Sequence, residues 1–111
     1  MGNLNESIIN YKKAIELQPT FWQAYNNLSL VYEEKGDIQP AIKICQKSIG
    51  IEPKNPDAYN NLGVLYFKLK NYKRALEKIQ KAMKLKSNFT VAYNNIGNVF
   101  REMKDLSLIH I

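Results

Sequence analysis

Few side chains in this sequence could catalyse a reaction or bind a metal. Its 111 residues contain one Cys, Cys45, and one His, His110, which excludes an internal disulfide, a Cys-rich zinc site and a His-pair metal motif. Cys45 falls at an apolar helix position without a neighbouring His to activate it, so we interpret it as a core residue. The sequence also lacks a Gly-rich phosphate-binding loop and a serine-hydrolase motif. We therefore expect no catalytic residue, no metal and no cofactor, and we predict that the protein is not an enzyme.

The sequence is basic, with 16 Lys and Arg against 10 Asp and Glu and a net charge of +6. Several of these cations lie in one short segment, namely Lys73, Arg74, Lys78, Lys81, Lys84 and Lys86. No aromatic platform or base-reading motif accompanies them, and Lys lacks the planar fork with which Arg binds phosphate. We interpret this segment as a solvated helix face and expect no nucleic acid partner.

Asparagine is the polar residue with the most regular spacing. Asn pairs occur at 26–27, 60–61 and 94–95, each time inside a block that reads Tyr-Asn-Asn followed by Leu or Ile, at intervals of 34 residues. A second block, at 11–17, 45–51 and 79–85, has the same interval. Two linked blocks with one period indicate an internal repeat.

The apolar residues inside each block have helical spacing, as Tyr59, Leu62 and Tyr66 do at i, i+3 and i+7. Each period therefore contains two helices. The predicted helices cover 4–17, 22–35, 38–51, 56–69, 72–86 and 90–103. No apolar stretch reaches the roughly 18 residues that a membrane helix needs, so we expect no membrane contact within this segment. No signal peptide is visible, and cytoplasm is the default expectation for location unless a signal lies upstream of this segment.

The repeat resembles the tetratricopeptide repeat (TPR) family over residues 1–105. The matching positions are an aromatic, Leu or Ile, a small residue and a second aromatic on the first helix, and small residues on the second. In this sequence they are Tyr25, Leu28, Ser29, Tyr32 and Ala41, then Tyr59, Leu62, Gly63, Tyr66, Ala75 and Ala82, and then Tyr93, Ile96, Gly97 and Phe100. The sequence departs from the family pattern at Cys45 and Ile79, where an aromatic is usual. The resemblance implies an all-α fold, a right-handed α-solenoid of antiparallel helix pairs with 34-residue repeats.

The repeat frame divides the chain into parts of a longer array. We assign 1–21 to the second helix of a partial repeat, 22–55 and 56–89 to whole repeats, and 90–105 to the first helix of a truncated repeat. The outer helices then lack neighbours, and we expect self-association through these uncapped ends.

Residues 106–111 read Leu-Ser-Leu-Ile-His-Ile, which is what a common transposase-based sequencing adapter spells when translated in frame. We interpret them as a non-native tail and exclude His110 from functional reasoning. The alternative is a natural, divergent C-terminus.

The resemblance also implies where a ligand would bind, because the first helix of each pair lines the concave side of such a solenoid. The expected peptide-binding residues are Asn26, Asn27, Leu30, Asn60, Asn61, Val64, Phe67, Asn94, Asn95 and Asn98. The same face carries Glu33, Glu34, Lys68, Arg101 and Glu102. The stacked Asn residues are similar to the asparagine ladder of O-linked N-acetylglucosamine transferases and related bacterial proteins, in which amides bond the backbone of an extended peptide. The alternative is that these Asn side chains do not bind a ligand and are solvated or hydrogen-bonded within the array.

These features favour a non-catalytic scaffold whose partner is a protein or an extended peptide. A first alternative is the substrate-recruiting arm of a larger enzyme, such as a glycosyltransferase, and a second is a self-assembling scaffold. Chaperone-binding members of the family clamp a terminal carboxylate with Lys, Asn and Arg. Asn61 fits that clamp, but Asn26, Leu30, Val91 and Asn95 supply no cations, so we do not expect it here.

The small residues predict a close helix crossing. We expect Gly63 and Ala75 to face each other, so Ala75→Leu should force the two helices apart at a cost of about 1–3 kcal/mol. The melting temperature, followed by circular dichroism, should fall. Unchanged stability would mean that the helix pairing has been misread.

Overall fold

The computed structural model describes the backbone of residues 3–109 and the side chains of residues 3–106 as six α-helices joined by short turns. The helices are α1 (Leu4–Leu17), α2 (Trp22–Lys35), α3 (Ile38–Ile51), α4 (Pro56–Lys68), α5 (Tyr72–Leu85) and α6 (Thr90–Ile109). Residues 3–109 contain no strand. The described helices all fall short of the length and hydropathy needed to cross a membrane.

The predicted helices are confirmed to within one residue at every boundary except the end of α6, which continues to Ile109 instead of stopping at 103. Lys104 and Asp105 occupy the register at which the earlier first helices turn. In the described part of the chain α6 packs against α5 but has no second helix of its own repeat, and no Gly or Pro follows Asp105. Nothing therefore stops the helix there. The interpretation of 106–111 as a non-native tail stays a prediction, and His110 lies outside the described residues.

The turns inside the two complete pairs have the same geometry although their sequences differ. Gly36 ends α2 with φ 86° and the N–H of Asp37 donates to the carbonyl of Tyr32 at 2.9 Å. Lys70 takes the equivalent place after α4 with φ 62°, and the N–H of Asn71 donates to the carbonyl of Tyr66 at 2.9 Å. A side chain in this left-handed conformation costs about 1–2 kcal/mol. The pairing of α4 with α5 therefore imposes the turn on a residue that does not favour it.

Asparagine side chains begin three of the helices. The Oδ1 atoms of Asn3, Asn55 and Asn71 each accept a hydrogen bond from a backbone N–H in the first turn, at 3.0–3.3 Å. Such caps satisfy N–H groups that have no partner inside the helix. These three Asn residues therefore serve to begin helices.

The crossing of α4 and α5 depends on the absence of a side chain at Gly63. A Cβ atom on Gly63 would lie 2.5 Å from Cγ1 of Ile79 and 3.1 Å from the carbonyl oxygen of Ala75. Ala75 and Ile79 are both fully buried. The two helices thus pack backbone against side chain at this point, as the sequence predicts.

The crossing of α2 and α3 has different residues at the equivalent positions. Ser29 stands in the register of Gly63, and its hydroxyl donates to the carbonyl of Ala41 at 2.7 Å. Cys45 stands in the register of Ile79 and is also fully buried. The first pair therefore combines a larger residue on one helix with a smaller residue on the other, and the second pair does the reverse.

The contacts between neighbouring helix pairs lie on one side of the array and give it its curvature. Each first helix contacts the first helix of the next pair, α2 with α4 and α4 with α6, whereas the described second helices make no such contacts with each other. The first helices are therefore closer together and lie on the inner side of the bend. The described part of the chain is an elongated all-α solenoid, with extents of 53 × 29 × 22 Å.

One pair of helices combines Ser29 with Cys45 and the other combines Gly63 with Ile79, and this exchange of side-chain volume gives a stability prediction. Gly63→Ser should destabilise the fold by about 1–3 kcal/mol, because the new Cβ overlaps Ile79. Gly63→Ser combined with Ile79→Cys reproduces the pair found at Ser29 and Cys45. The double variant should therefore be more stable than the sum of the two single effects predicts. Urea unfolding measures each value.

Gly97→Ser is the matched control, because a Cβ at Gly97 meets no atom within 4 Å. It should leave the urea midpoint unchanged or raise it, since Gly is a poor helix former. Additive effects in the double variant would contradict the proposed exchange of volume.

Candidate functional site

The inner surface of α2, α4 and α6, called here the concave groove, carries the expected peptide-binding residues. Its Asn side chains bond diagonally from one repeat to the next. Nδ2 of Asn61 donates to Oδ1 of Asn26 at 3.3 Å, and Nδ2 of Asn95 donates to Oδ1 of Asn60 at 3.0 Å. Each amide nitrogen carries two hydrogens. Asn61 and Asn95 thus retain one N–H and one carbonyl oxygen each for a ligand.

The two Asn residues of a pair are not equivalent. Asn60 is only 5% exposed and its oxygen accepts from Asn95, so in this structure it supports Asn95 from below the groove surface. Asn27 and Asn94 are exposed, and Asn26 is half-buried. Consecutive residues point about 100° apart around a helix, so both members of a pair cannot face the groove equally. The sequence gives both members of each pair the same residue type and does not distinguish them.

A cavity of about 240 Å³ opens between α4 and α6, and is called here the central cavity. It brings together four of the expected binding residues, namely Val64, Phe67, Asn95 and Asn98. Lys68, Ile79 and Val99 complete its lining. The sequence analysis names neither Ile79 nor Val99 among the expected binding residues. For Ile79 the signal was its departure from the family pattern, since a usual aromatic would occupy more of this space.

The Phe67 ring is held in place from one side. Its centroid lies 5.7 Å from that of Tyr72, with an angle of 56° between the ring planes, a geometry that aromatic pairs favour. Tyr72 begins α5, so the helix that follows the turn fixes the ring. The apolar wall of the central cavity is therefore formed before any ligand arrives.

Charged side chains lie at the edge of the central cavity and along the groove. Nζ of Lys68 lies 2.9 Å from Oε2 of Glu33, an ion pair that joins two repeats. On α6, Nη2 of Arg101 donates to Oδ1 of Asn98 at 3.0 Å. This bond orients the Asn98 amide and leaves its N–H groups available to a ligand.

The basic residues of the segment 73–86 lie outside the groove, and three of them cover aromatic rings. Arg74 lies 5.7 Å from the centroid of Tyr66, and Lys81 lies 6.0 Å from that of Tyr59. Lys86 lies 5.0 Å from the centroid of Phe89. Such cation–π contacts stabilise the repeats themselves. Part of the basic charge therefore has a structural role.

A larger cavity, of about 540 Å³, lies between α5 and α6 away from the concave groove. It is lined by Glu77, Gln80, Lys81, Met83, Lys84 and Tyr93. Tyr93 and Phe100 are each 51% exposed, while Tyr66, in the register of Phe100, is buried by α5. The difference arises because α4 packs against the second helix of its own repeat, α5, whereas α6 has no such helix within the described residues. This cavity contains none of the expected binding residues.

Cys45 lies in the core, where its thiol donates to the carbonyl of Ala58 at 3.2 Å. Burial raises the pKa of the thiol from 9.0 to about 12, although the Ser29 hydroxyl partly opposes this increase. A protonated, buried thiol is a poor nucleophile. Its surroundings therefore match a packing residue.

The comparisons with known proteins agree with this architecture. The family model described as "Tetratricopeptide repeat" matches residues 56–89, and a model described as "TPR repeat" matches 1–36 and 31–70. Together the matches cover residues 1–89. The chain therefore belongs to the tetratricopeptide repeat family. No curated protein sequence matches it.

Several solved structures share the fold. The crystal structure of MamA is 25% identical with a TM-score of 0.83, and the alignment covers 91% of this chain and 59% of MamA. The TPR domain of Sgt2 from Aspergillus fumigatus is 20% identical with a TM-score of 0.87, and the alignment covers 94% of this chain and 70% of the Sgt2 chain. The first TPR of Spaghetti (RPAP3), bound to the HSP90 peptide SRMEEVD, is 19% identical with a TM-score of 0.86. The alignment covers 91% of this chain and 80% of the Spaghetti chain. The chain thus spans less than two thirds of MamA.

The burial of Cys45 predicts how its thiol reacts. A thiol reagent such as Ellman's reagent should label the native protein far more slowly than a Ser87→Cys, Cys45→Ala variant, whose thiol is on an exposed loop residue. Labelling of Cys45 should accelerate with urea as the fold opens. Equal rates for the two thiols in native buffer would contradict its place in the core.

The raised pKa also gives a pH dependence. Between about pH 9 and 12 the unfolded thiol ionises and the folded one does not, so the unfolded state binds fewer protons and stability falls as pH rises. Cys45→Ala should lose this contribution to the alkaline decline. Urea midpoints measured across this range for both proteins test it.

Proposed function

We propose that the chain is a non-catalytic scaffold that binds an extended segment of a partner protein in the concave groove. The observation that carries the proposal is the Asn row held by bonds between repeats directly beside the central cavity. Amides in a row can bond a peptide backbone of any sequence, and the apolar wall can bury one side chain. A surface fixed before binding loses little conformational entropy when the ligand arrives.

The fold supports the proposal by analogy. The TPR fold is typically a protein-interaction module, and one structure with this fold, the first TPR of Spaghetti, is solved with a bound peptide. That peptide is acidic and ends in a carboxylate. The concave positions that would clamp a carboxylate are Asn26, Leu30, Val91 and Asn95 in this chain and bring no cation. We therefore expect SRMEEVD itself to bind weakly.

The test is a selection of random peptides on the purified protein, followed by fluorescence anisotropy with the peptides recovered. The triple variant Asn27→Ala, Asn61→Ala, Asn95→Ala should weaken binding more than tenfold, which corresponds to about 1.4 kcal/mol. Asn27 is exposed and the other two are half-buried, so circular dichroism should report an intact fold.

Asn88→Ala is the matched control, because Asn88 is an exposed residue between α5 and α6. It should leave the dissociation constant unchanged. A triple variant that binds as tightly as the original protein would refute the Asn row as the binding element. A selection that recovers no peptide would refute the proposed function.

Self-association is a second candidate, favoured by the exposed apolar side chains of the outer helices. Ile9 and Leu17 on α1 are 67% and 75% exposed, and Val91 on α6 is 54% exposed. Exposed apolar surface of this kind promotes contacts between molecules. Sedimentation at increasing protein concentration separates the candidates, since a monomeric peptide binder keeps a constant sedimentation coefficient.

A further inference from the structure

One register of the concave groove changes its chemistry from repeat to repeat. Residues 34 apart on α2, α4 and α6 are Glu33, Phe67 and Arg101. An acid, an aromatic ring and a base therefore follow one another across the groove. An Asn row bonds any peptide backbone, whereas this row discriminates among ligand side chains.

Phe67 marks the place for an apolar ligand side chain. It lines the central cavity of about 240 Å³ together with Val64, Ile79 and Val99. A dry apolar cavity of roughly 150 Å³ is large enough to hold benzene. The central cavity therefore has room for one branched aliphatic or aromatic side chain, with Asn95 and Asn98 at hand for the adjoining backbone.

Arg101 marks the place for a ligand carboxylate. Its side chain is exposed, and one guanidinium N–H bonds Asn98, which steers the group towards the central cavity. The guanidinium has five N–H donors and binds carboxylates in a two-point geometry. Glu102 is the neighbouring opposite charge and is also exposed, but the described contacts include no ion pair between the two.

The α2 side of the groove favours a ligand cation. Glu33 is neutralised by Lys68, which reaches across from α4. Glu34 follows Glu33, is exposed, and lies in the register of Lys68, which itself faces the central cavity. The α2 side thus carries two carboxylates against the single ammonium group of Lys68, and its net charge is negative.

We infer that the groove selects a peptide with a branched or aromatic apolar residue between a basic residue and an acidic one. The apolar side chain enters the central cavity, the acid binds Arg101, and the base lies beside Glu34. Neighbouring helices are about 8–10 Å apart and an extended chain advances about 3.3 Å per residue, so each charge is about three residues from the apolar one. This inference rests on the proposed function and specifies its ligand.

The test uses labelled synthetic peptides in a Ser-Ala background. The matching peptide carries Lys, Leu and Asp with two residues between consecutive members, and it is made in two versions, one in the order Lys, Leu, Asp and one in the reverse order. The comparison peptides replace Leu by Ser, replace Asp by Lys, or place both charges on the same side of Leu. Fluorescence anisotropy should show the matching peptide, in one of its two directions, binding about threefold to fivefold more tightly than either charge variant, the range for exposed ion pairs. The Ser variant should bind more weakly still.

Charge reversal in the protein supplies the complementary evidence. Arg101→Glu should invert the preference, so that the peptide with Lys at both ends binds more tightly than the one with Lys and Asp. Lys73→Glu has the same change in net charge on an exposed residue of α5 and should preserve the original preference. Added salt should reduce both preferences.

The outcomes separate this inference from the proposed function. If all Leu-containing peptides bind alike and the triple Asn variant abolishes binding, the groove binds peptides but the charge pattern is refuted. If Arg101→Glu leaves the preference unchanged, the assignment of the acid to Arg101 is refuted. If neither these peptides nor the selected library bind, the proposed function fails and the inference fails with it.

Discussion

The structure depends on the close approach of the two helices in each pair. At Gly63 no side chain fits between α4 and α5, so the helix axes can approach, and Ala75, Ile79 and Ala82 of α5 belong to the buried core cluster. This closeness forces Lys70 into a left-handed turn, because the chain must reverse within a very short distance. The curvature that produces the groove comes from the contacts between successive first helices, α2 with α4 and α4 with α6.

The groove is built from bonds that also hold the repeats together. Three side-chain contacts join adjacent first helices on the inner side. They are the hydrogen bonds from Asn61 to Asn26 and from Asn95 to Asn60, and the ion pair between Lys68 and Glu33. Outside the groove, cations cover the aromatic rings of the same repeats. Polar residues therefore contribute to rigidity. Under the proposed function the same Asn side chains also bond the ligand, because an amide has more than one bonding group.

Most of the fold could be predicted from the sequence, because two linked blocks at one period and helical apolar spacing fix the helices together. The end of α6 could not be predicted, because no Gly or Pro follows Asp105 to stop the helix and no second helix of the same repeat packs against α6 in the described part of the chain. The binding residues remain a prediction. The sequence predicts which face of each first helix binds a ligand, but it assigns Asn60 and Asn61 the same role. Only the packed structure shows that Asn60 is buried and that Ile79 of the second helix reaches the central cavity.

The exchange of volume between Ser29 with Cys45 and Gly63 with Ile79 bears on how such an array can lengthen during evolution. A recombination that joined α2 to α5 would set the Ser29 hydroxyl against the Ile79 side chain, and one that joined α4 to α3 would leave a void beside Gly63. Copying a whole pair keeps each matched combination intact. The heritable unit of growth is therefore the helix pair with its internal turn, and the boundaries at which the gene can be duplicated without loss are the loops between pairs.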